Sequence, residues 1–117
     1  MDKLQKRRND CLRLLNDQYR KDVNCVKINT HNTLEHERAK FILCYKLIKE
    51  GYQIVTEAIF KNGSRADILV LDTFEVYEIL KSETEIECLA KIKKYPDVLT
   101  VTMVNINIPN IYTCEGL

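Results

Sequence analysis

The chain has no apolar run approaching the roughly 18 residues that a membrane-crossing helix needs. Its first residues, Met1-Asp2-Lys3-Leu4-Gln5-Lys6-Arg7-Arg8, lack the apolar stretch of a secretory signal. Together these absences predict an intracellular, cytoplasmic protein with no membrane role. The five cysteines (Cys11, Cys25, Cys44, Cys88, Cys114) contain no C-x-x-C pair, and their number is odd. That argues against a disulfide framework and against a structural zinc site. Most of them are expected to act as small buried apolar residues. Repeats, low-complexity tracts and linkers are also missing. A large excess of one charge is missing too: the net charge is +1, which does not advertise a nucleic-acid partner.

What is present is enough for one domain with one core: 117 residues, 45% of them apolar. Residues 1–30 read as an N-terminal helical extension, 31–104 as the core and 105–117 as a C-terminal edge segment. Residues 1–27 hold eight Lys or Arg against four Asp, a mild basic bias that suits a solvated helix face as well as a phosphate-binding one. A helix is predicted from residue 3 to about 21, with Leu4, Cys11, Leu14, Leu15 and Tyr19 as a narrow apolar stripe. So narrow a stripe places it outside the domain or at a subunit contact. Residues 23–29 alternate weakly and read as extended.

Leu34 to Glu50 is a helix apolar on much of its circumference, ended by Gly51. Residues 52–60 are rich in aromatic and β-branched types and read as a strand. Lys61-Asn62-Gly63-Ser64 is a turn leading into a second strand. A helix over 82–94, stopped at Tyr95-Pro96, and a β-branched strand over 98–104 complete the core. The order is αβββαβ after an extra N-terminal helix. The last step has the length of a crossover between parallel strands, so an α/β fold with a mixed central sheet flanked by helices follows.

The chemistry concentrates in the hairpin from Arg65 to Lys81. A two-residue turn at Asp72-Thr73 pairs Leu71 with Phe74. Stepping back four residues along each strand sets Asp67 opposite Glu78. Two carboxylates so close repel unless a cation or a proton lies between them. The competing reading is a pair of strand-end acids bridged to Arg65 or Lys81. Glu35 lies on a stripe with Ala39 and Ile42 and is expected to point toward the sheet. It also fits as the acid of an Asn32-x-x-Glu35 cap. Glu37 lies further round that helix and is expected in solvent. Glu57 joins the site only if the first hairpin brings it beside Asp67.

A buried helix beginning with Glu-His, then Gly51-Tyr52, a strand with Glu57, the Arg65-Ala66-Asp67 strand and the Tyr77-Glu78-Ile79 strand together resemble the PD-(D/E)XK nuclease superfamily. This is the restriction-endonuclease-like fold that includes Holliday junction resolvases. The resemblance covers residues 33–104 in element order. It implies a DNA phosphodiesterase using Mg²⁺ or Mn²⁺, an ion that stabilises the charged transition state and generates hydroxide. The implied metal ligands are Asp67, Glu78, the main-chain carbonyl of Ile79 and Glu35. It also implies a catalytic lysine, and a homodimer would present two sites to two strands.

The lysine departs from the family pattern. The family has it two residues after the second acid, where this chain has Leu80. Lys81 follows one residue later and reaches the site only if the strand bulges. Lys40 or Lys46 are alternative sources of the charge, and Ser82 shares the side of Glu78 and would bind a water. The departure also leaves open a catalytically inactive module that binds nucleic acid or a protein. His31 and His36 are expected at the surface or in caps, and Lys91, Lys93 and Lys94 on a solvated helix face, with phosphate contact as the lesser alternative.

Overall fold

The computed structural model describes residues 2–80 and 85–105. A helix α1 (Lys3–Leu12) and a 3₁₀ turn (Asp17–Lys21) lead to α2 (Leu34–Lys49). The strands β1 (Ile54–Ile59), β2 (Arg65–Val70) and β3 (Glu75–Leu80) follow, then α3 (Glu85–Ile92) and β4 (Thr100–Asn105). The four strands form one mixed sheet in the order β1-β2-β3-β4. β1, β2 and β3 are successively antiparallel, and β4 runs parallel to β3. The α/β class, the element order and the parallel last step are therefore as the sequence predicts. No helix among the described residues is long and apolar enough to cross a membrane.

Two apolar clusters lie on the two faces. Ala39, Cys44 and Leu47 of α2 pack on Ile54, Ile68, Val70 and Ile79. On the other face Cys11, Leu15 and Tyr19 join Val55, Phe60, Leu69, Val76 and Tyr95. The N-terminal segment is thus core, not an outlying helix. Its predicted single helix also breaks after Leu12. The cause is the sheet edge: Leu15 bridges to Phe60, Asn16 N–H donates to the Ile59 carbonyl, and Lys61 N–H donates to the Leu14 carbonyl. Those backbone groups cannot also serve a helix.

Residues 23–27 run along the edge of β1 but are not a ladder strand. Asn24 N–H donates to the Ile54 carbonyl, and Ile54 N–H donates back to Asn24 Oδ1 at 2.9 Å. Thr56 Oγ1 accepts from Lys27 N–H at 2.9 Å and donates to the Cys25 carbonyl at 3.0 Å. α2 starts at Thr33, whose hydroxyl caps His36 N–H, so Asn32 is not the cap. It ends at Gly51, with φ +95°, in a Schellman closure: Gly51 N–H bonds the Ile48 carbonyl and Tyr52 N–H the Leu47 carbonyl. The β2–β3 turn is held from outside itself. Asp72 accepts from Gln53 N–H at 2.9 Å and pairs with Arg8 at 2.8 Å.

Candidate active site

The β2–β3 ladder runs Val70–Glu75, Leu69–Val76, Ile68–Tyr77. One step further come Asp67 and Glu78, and here carboxylates replace the backbone ladder. Asp67 N–H donates to Glu78 Oε2 at 3.2 Å, and Ile79 N–H donates to Asp67 Oδ2 at 2.8 Å. The two carboxyl groups are close enough for each to shift the proton affinity of the other. The predicted register therefore brings these two acids together. Arg65 makes no ion pair with either acid among the described residues, and Lys81, the other partner of the competing reading, lies outside them. Glu78 is 2% exposed.

Their further partners come from opposite layers. On the α2 side, His36 Nε2 lies 3.4 Å from Asp67 Oδ2. On the other side, Lys91 Nζ lies 3.0 Å from Glu78 Oε1, and the Tyr95 hydroxyl donates to that same oxygen. The same hydroxyl lies 2.8 Å from the Arg65 carbonyl, so its one proton is shared between two acceptors. Two carboxylates without a cation between them hold a proton instead. Burial pushes the Glu78 carboxyl up, and the Asp67 charge pushes it further, against the pull of Lys91. At Asp67 burial also pushes up, but the bonds from His36, Glu78 and Ile79 N–H outweigh it and hold the acid below its usual range. Glu78 is therefore the acid of the pair that favours its protonated form, and Asp67 the one that favours its charged form.

The first turns of α2 add a second cluster. Glu37 faces inward: it accepts from Asn29 N–H, from Lys40 Nζ at 2.6 Å and from His36 Nδ1 at 2.9 Å. Burial raises its carboxyl, but these three donors outweigh that and lower it overall. His36 is 8% exposed and lies between Glu37 and Asp67. Burial alone would lower its pKa; the two carboxylates raise it above the ordinary 6.5. Lys40 is 1% exposed, and its Nζ is also 3.7 Å from Glu57 Oε2.

Glu57 occupies the β1 position in register with Asp67, between the pairs Thr56–Ile68 and Ala58–Ala66. Its backbone has φ +48°, unusual for a side chain of its size. Oε1 accepts from Asn29 Nδ2 at 2.6 Å, while the buried Oε2 accepts no hydrogen bond. The first hairpin register sets the Glu57 backbone opposite Asp67, while its carboxylate meets Asn29 and Lys40.

Glu35 is exposed, contrary to its expected direction toward the sheet. The inward stripe of α2 runs His36, Ala39 and Lys40, Cys44, Leu47, which turns Glu35 outward and Glu37 inward. Ile79 meets Asp67 through its N–H. Lys81, Ser82 and Glu83 lie outside the described residues. Leu80, at the place of the family lysine, is buried. Lys46 is exposed beside Glu50 and Tyr77. His36 and Lys91, expected at the surface, are instead the direct partners of the two acids. No spacing in the sequence signalled Tyr95. Among the described residues, no group of three or more His, Cys, Asp or Glu is arranged to hold a metal ion.

Compared with known protein families, curated proteins and solved structures, the chain matches none.

Proposed function

We propose that this protein is a metal-dependent nuclease that hydrolyses DNA phosphodiester bonds on a fold of PD-(D/E)XK type. The observation that carries the reading is the buried Asp67–Glu78 pair, two carboxyl groups held together across β2 and β3, with burial and the Asp67 charge raising the pKa of Glu78. The αβββαβ order and the parallel β3–β4 step agree with it. Two hard oxygen donors forced together suit Mg²⁺ or Mn²⁺, since Mg²⁺ binds through one or two carboxylates and keeps several waters. The bound ion would supply transition-state charge stabilisation and a hydroxide at neutral pH.

The chain's own residues have separable tasks. Asp67 and Glu78 hold the ion, with the Ile79 carbonyl as a further ligand. His36 fixes the Asp67 carboxylate, and Glu37 fixes His36. Lys91 offsets charge at Glu78, taking the part that Leu80 cannot. Lys81 stays in the reading as the family lysine, and Glu37, not the outward Glu35, is the helix acid that acts, through His36. The small domain leaves little room for a base-reading module, so structure-selective cleavage by a homodimer in the cytoplasm fits best. The test is Mg²⁺- or Mn²⁺-dependent cleavage of single-stranded, duplex and branched DNA by the wild type and by Asp67→Ala. Metal-dependent cleavage lost in the variant supports the reading; equal residual cleavage in both overturns it.

One observation favours a second reading. Leu80 is 4% exposed where the family lysine would stand. A non-catalytic module would bind nucleic acid or a protein partner with the same architecture. Mn²⁺ and DNA binding without cleavage of any of the three substrates would select it.

A further inference from the structure

A cavity of about 450 Å³ lies between the β1–β2 turn and the end of α3, lined by Asn62, Gly63, Ser64, Arg65, Lys91 and Lys94. Three of the six lining residues are cationic and none is acidic. Arg65 and Lys94 are exposed, and neither has an acidic partner among the described residues. Isolated cations that converge on one cavity repel each other and favour an anion between them.

The walls are fixed by polar contacts. Asn62 Nδ2 donates to the Lys94 carbonyl at 2.7 Å, and Ser64 Oγ lies 3.5 Å from it. Asn62 Oδ1 in turn accepts from Ser64 N–H at 3.0 Å and from Ser64 Oγ at 2.6 Å. These bonds tie the turn to the end of α3 and cover a carbonyl that would otherwise repel an anion. The cavity is also joined to the acid pair. Lys91 lines it while its Nζ contacts Glu78 Oε1. Arg65 starts β2, two residues before Asp67, and Tyr95 bonds both the Arg65 carbonyl and Glu78.

We propose that this cavity binds a backbone phosphate of a nucleic-acid strand, adjacent to the phosphate presented to Asp67 and Glu78. The inference rests on the nuclease reading for that neighbouring phosphate, though not for the cavity itself. Arg65 and Lys94 supply the ion pairs, Arg65 with its planar fork of donors. Lys91 sits between the two phosphates. Contacts to the backbone carry no base information, so the grip is independent of sequence.

The experiment measures binding of fluorescently labelled single-stranded and duplex DNA without divalent metal, by anisotropy over a salt series. The full chain is compared with the double variant Arg65→Ala/Lys94→Ala and with Lys3→Ala/Lys6→Ala, which removes two exposed lysines of α1. The cavity variant is expected to bind about tenfold more weakly and to lower the salt slope by about 2, roughly one per cation removed. The α1 variant is expected to match the wild type. Equal affinity in the cavity variant and the wild type overturns the inference. Inorganic phosphate that raises the melting temperature of the wild type but not of the cavity variant, yet leaves DNA affinity unchanged, identifies a free-phosphate pocket and also overturns it. Cavity-dependent binding without metal-dependent cleavage would refute the nuclease reading and leave the phosphate site standing. Cleavage with cavity-independent binding would do the reverse.

Discussion

Glu78 accepts a hydrogen bond from the backbone N–H of Asp67, and Asp67 accepts one from the residue after Glu78. Each acid is thus tied to the opposite strand, and neither can move away from the other. Repulsion is relieved by a proton, which makes folding sensitive to pH. An acid whose folded pKa is raised binds its proton more tightly in the folded state. Its contribution is greatest below the ordinary Glu value of 4.5 and declines as pH rises toward the folded value. His36, also raised, stabilises fully below 6.5 and loses that contribution as pH rises through its folded pKa. Asp67, lowered, acts oppositely: its contribution is present above 3.8 and is lost as pH falls.

The wild type should therefore lose stability as pH rises from about 5 to about 9, first through Glu78 and then through His36 as well. Glu78→Gln keeps the shape of the protonated acid and removes the titration. It should flatten the early part of the decline and be more stable than the wild type near pH 8 by about 2 kcal/mol. His36→Gln should flatten only the later part. Urea midpoints across the pH range check both, and an unchanged profile in Glu78→Gln would sink the account of a protonated Glu78.

Lys40 is the only described cation buried as deeply as 1% exposed, and it faces two carboxylates. Lys40→Met should cost about 3 kcal/mol, because Glu37 and Glu57 then lie buried without their cation. Glu57→Gln removes one of those charges. The double variant should be at least about 1 kcal/mol more stable than the sum of the single effects predicts. Strict additivity in a urea-denaturation cycle would show that the 3.7 Å contact carries no coupling.

Asp72 offers a stability contrast well removed from the acid pair. Its carboxylate closes the turn onto Gln53 N–H and takes the Arg8 ion pair that docks α1. Burial raises this acid, but the Arg8 and Gln53 bonds lower it overall. Asp72→Ala should destabilise by about 2 kcal/mol through the lost charge-assisted bond and the unpaired Gln53 donor. Asp72→Asn keeps an acceptor and should cost less than about 1 kcal/mol. Thermal or urea melts would show this order, and neither variant should alter the pH response assigned to Glu78.

The hairpin register was legible because strand pairing has a period of two and a short turn fixes its phase. The end of α2 was legible from Gly51, and the parallel step from the length between β3 and β4. The direction of the α2 acids was not. That helix is apolar on so much of its circumference that periodicity alone does not select which stripe meets the sheet. The choice between Glu35 and Glu37 is made by the donors that meet Glu37, Asn29 N–H in the preceding loop and Lys40 one turn on, and by His36, which reaches Asp67 on β2. The break after Leu12 escaped for a similar reason, since it depends on backbone bonds to residues 59–61. Lys91 read as one of several surface lysines. Only the three-dimensional structure puts its ammonium 3.0 Å from Glu78.

A divalent ion at Asp67 and Glu78 must take the place of the proton that Glu78 holds. Ligand carboxylates bind as anions, so affinity for Mn²⁺ or Mg²⁺ should rise with pH until Glu78 is fully ionised. Burial and the Asp67 charge hold Glu78 protonated above its ordinary range, so the rise should extend past pH 6. Calorimetric titration in buffers of different ionisation enthalpy should detect release of up to about one proton per ion. Asp67→Asn should abolish binding, and Glu78→Gln should weaken it and remove the pH dependence. Removing the ion with a chelator should lower the melting temperature of the wild type and leave Asp67→Asn unchanged, because only a ligand bound to the folded state stabilises it. Binding that is equal at both ends of the pH range, or equal in Asp67→Asn, would mean that the proton and the ion do not compete for one place.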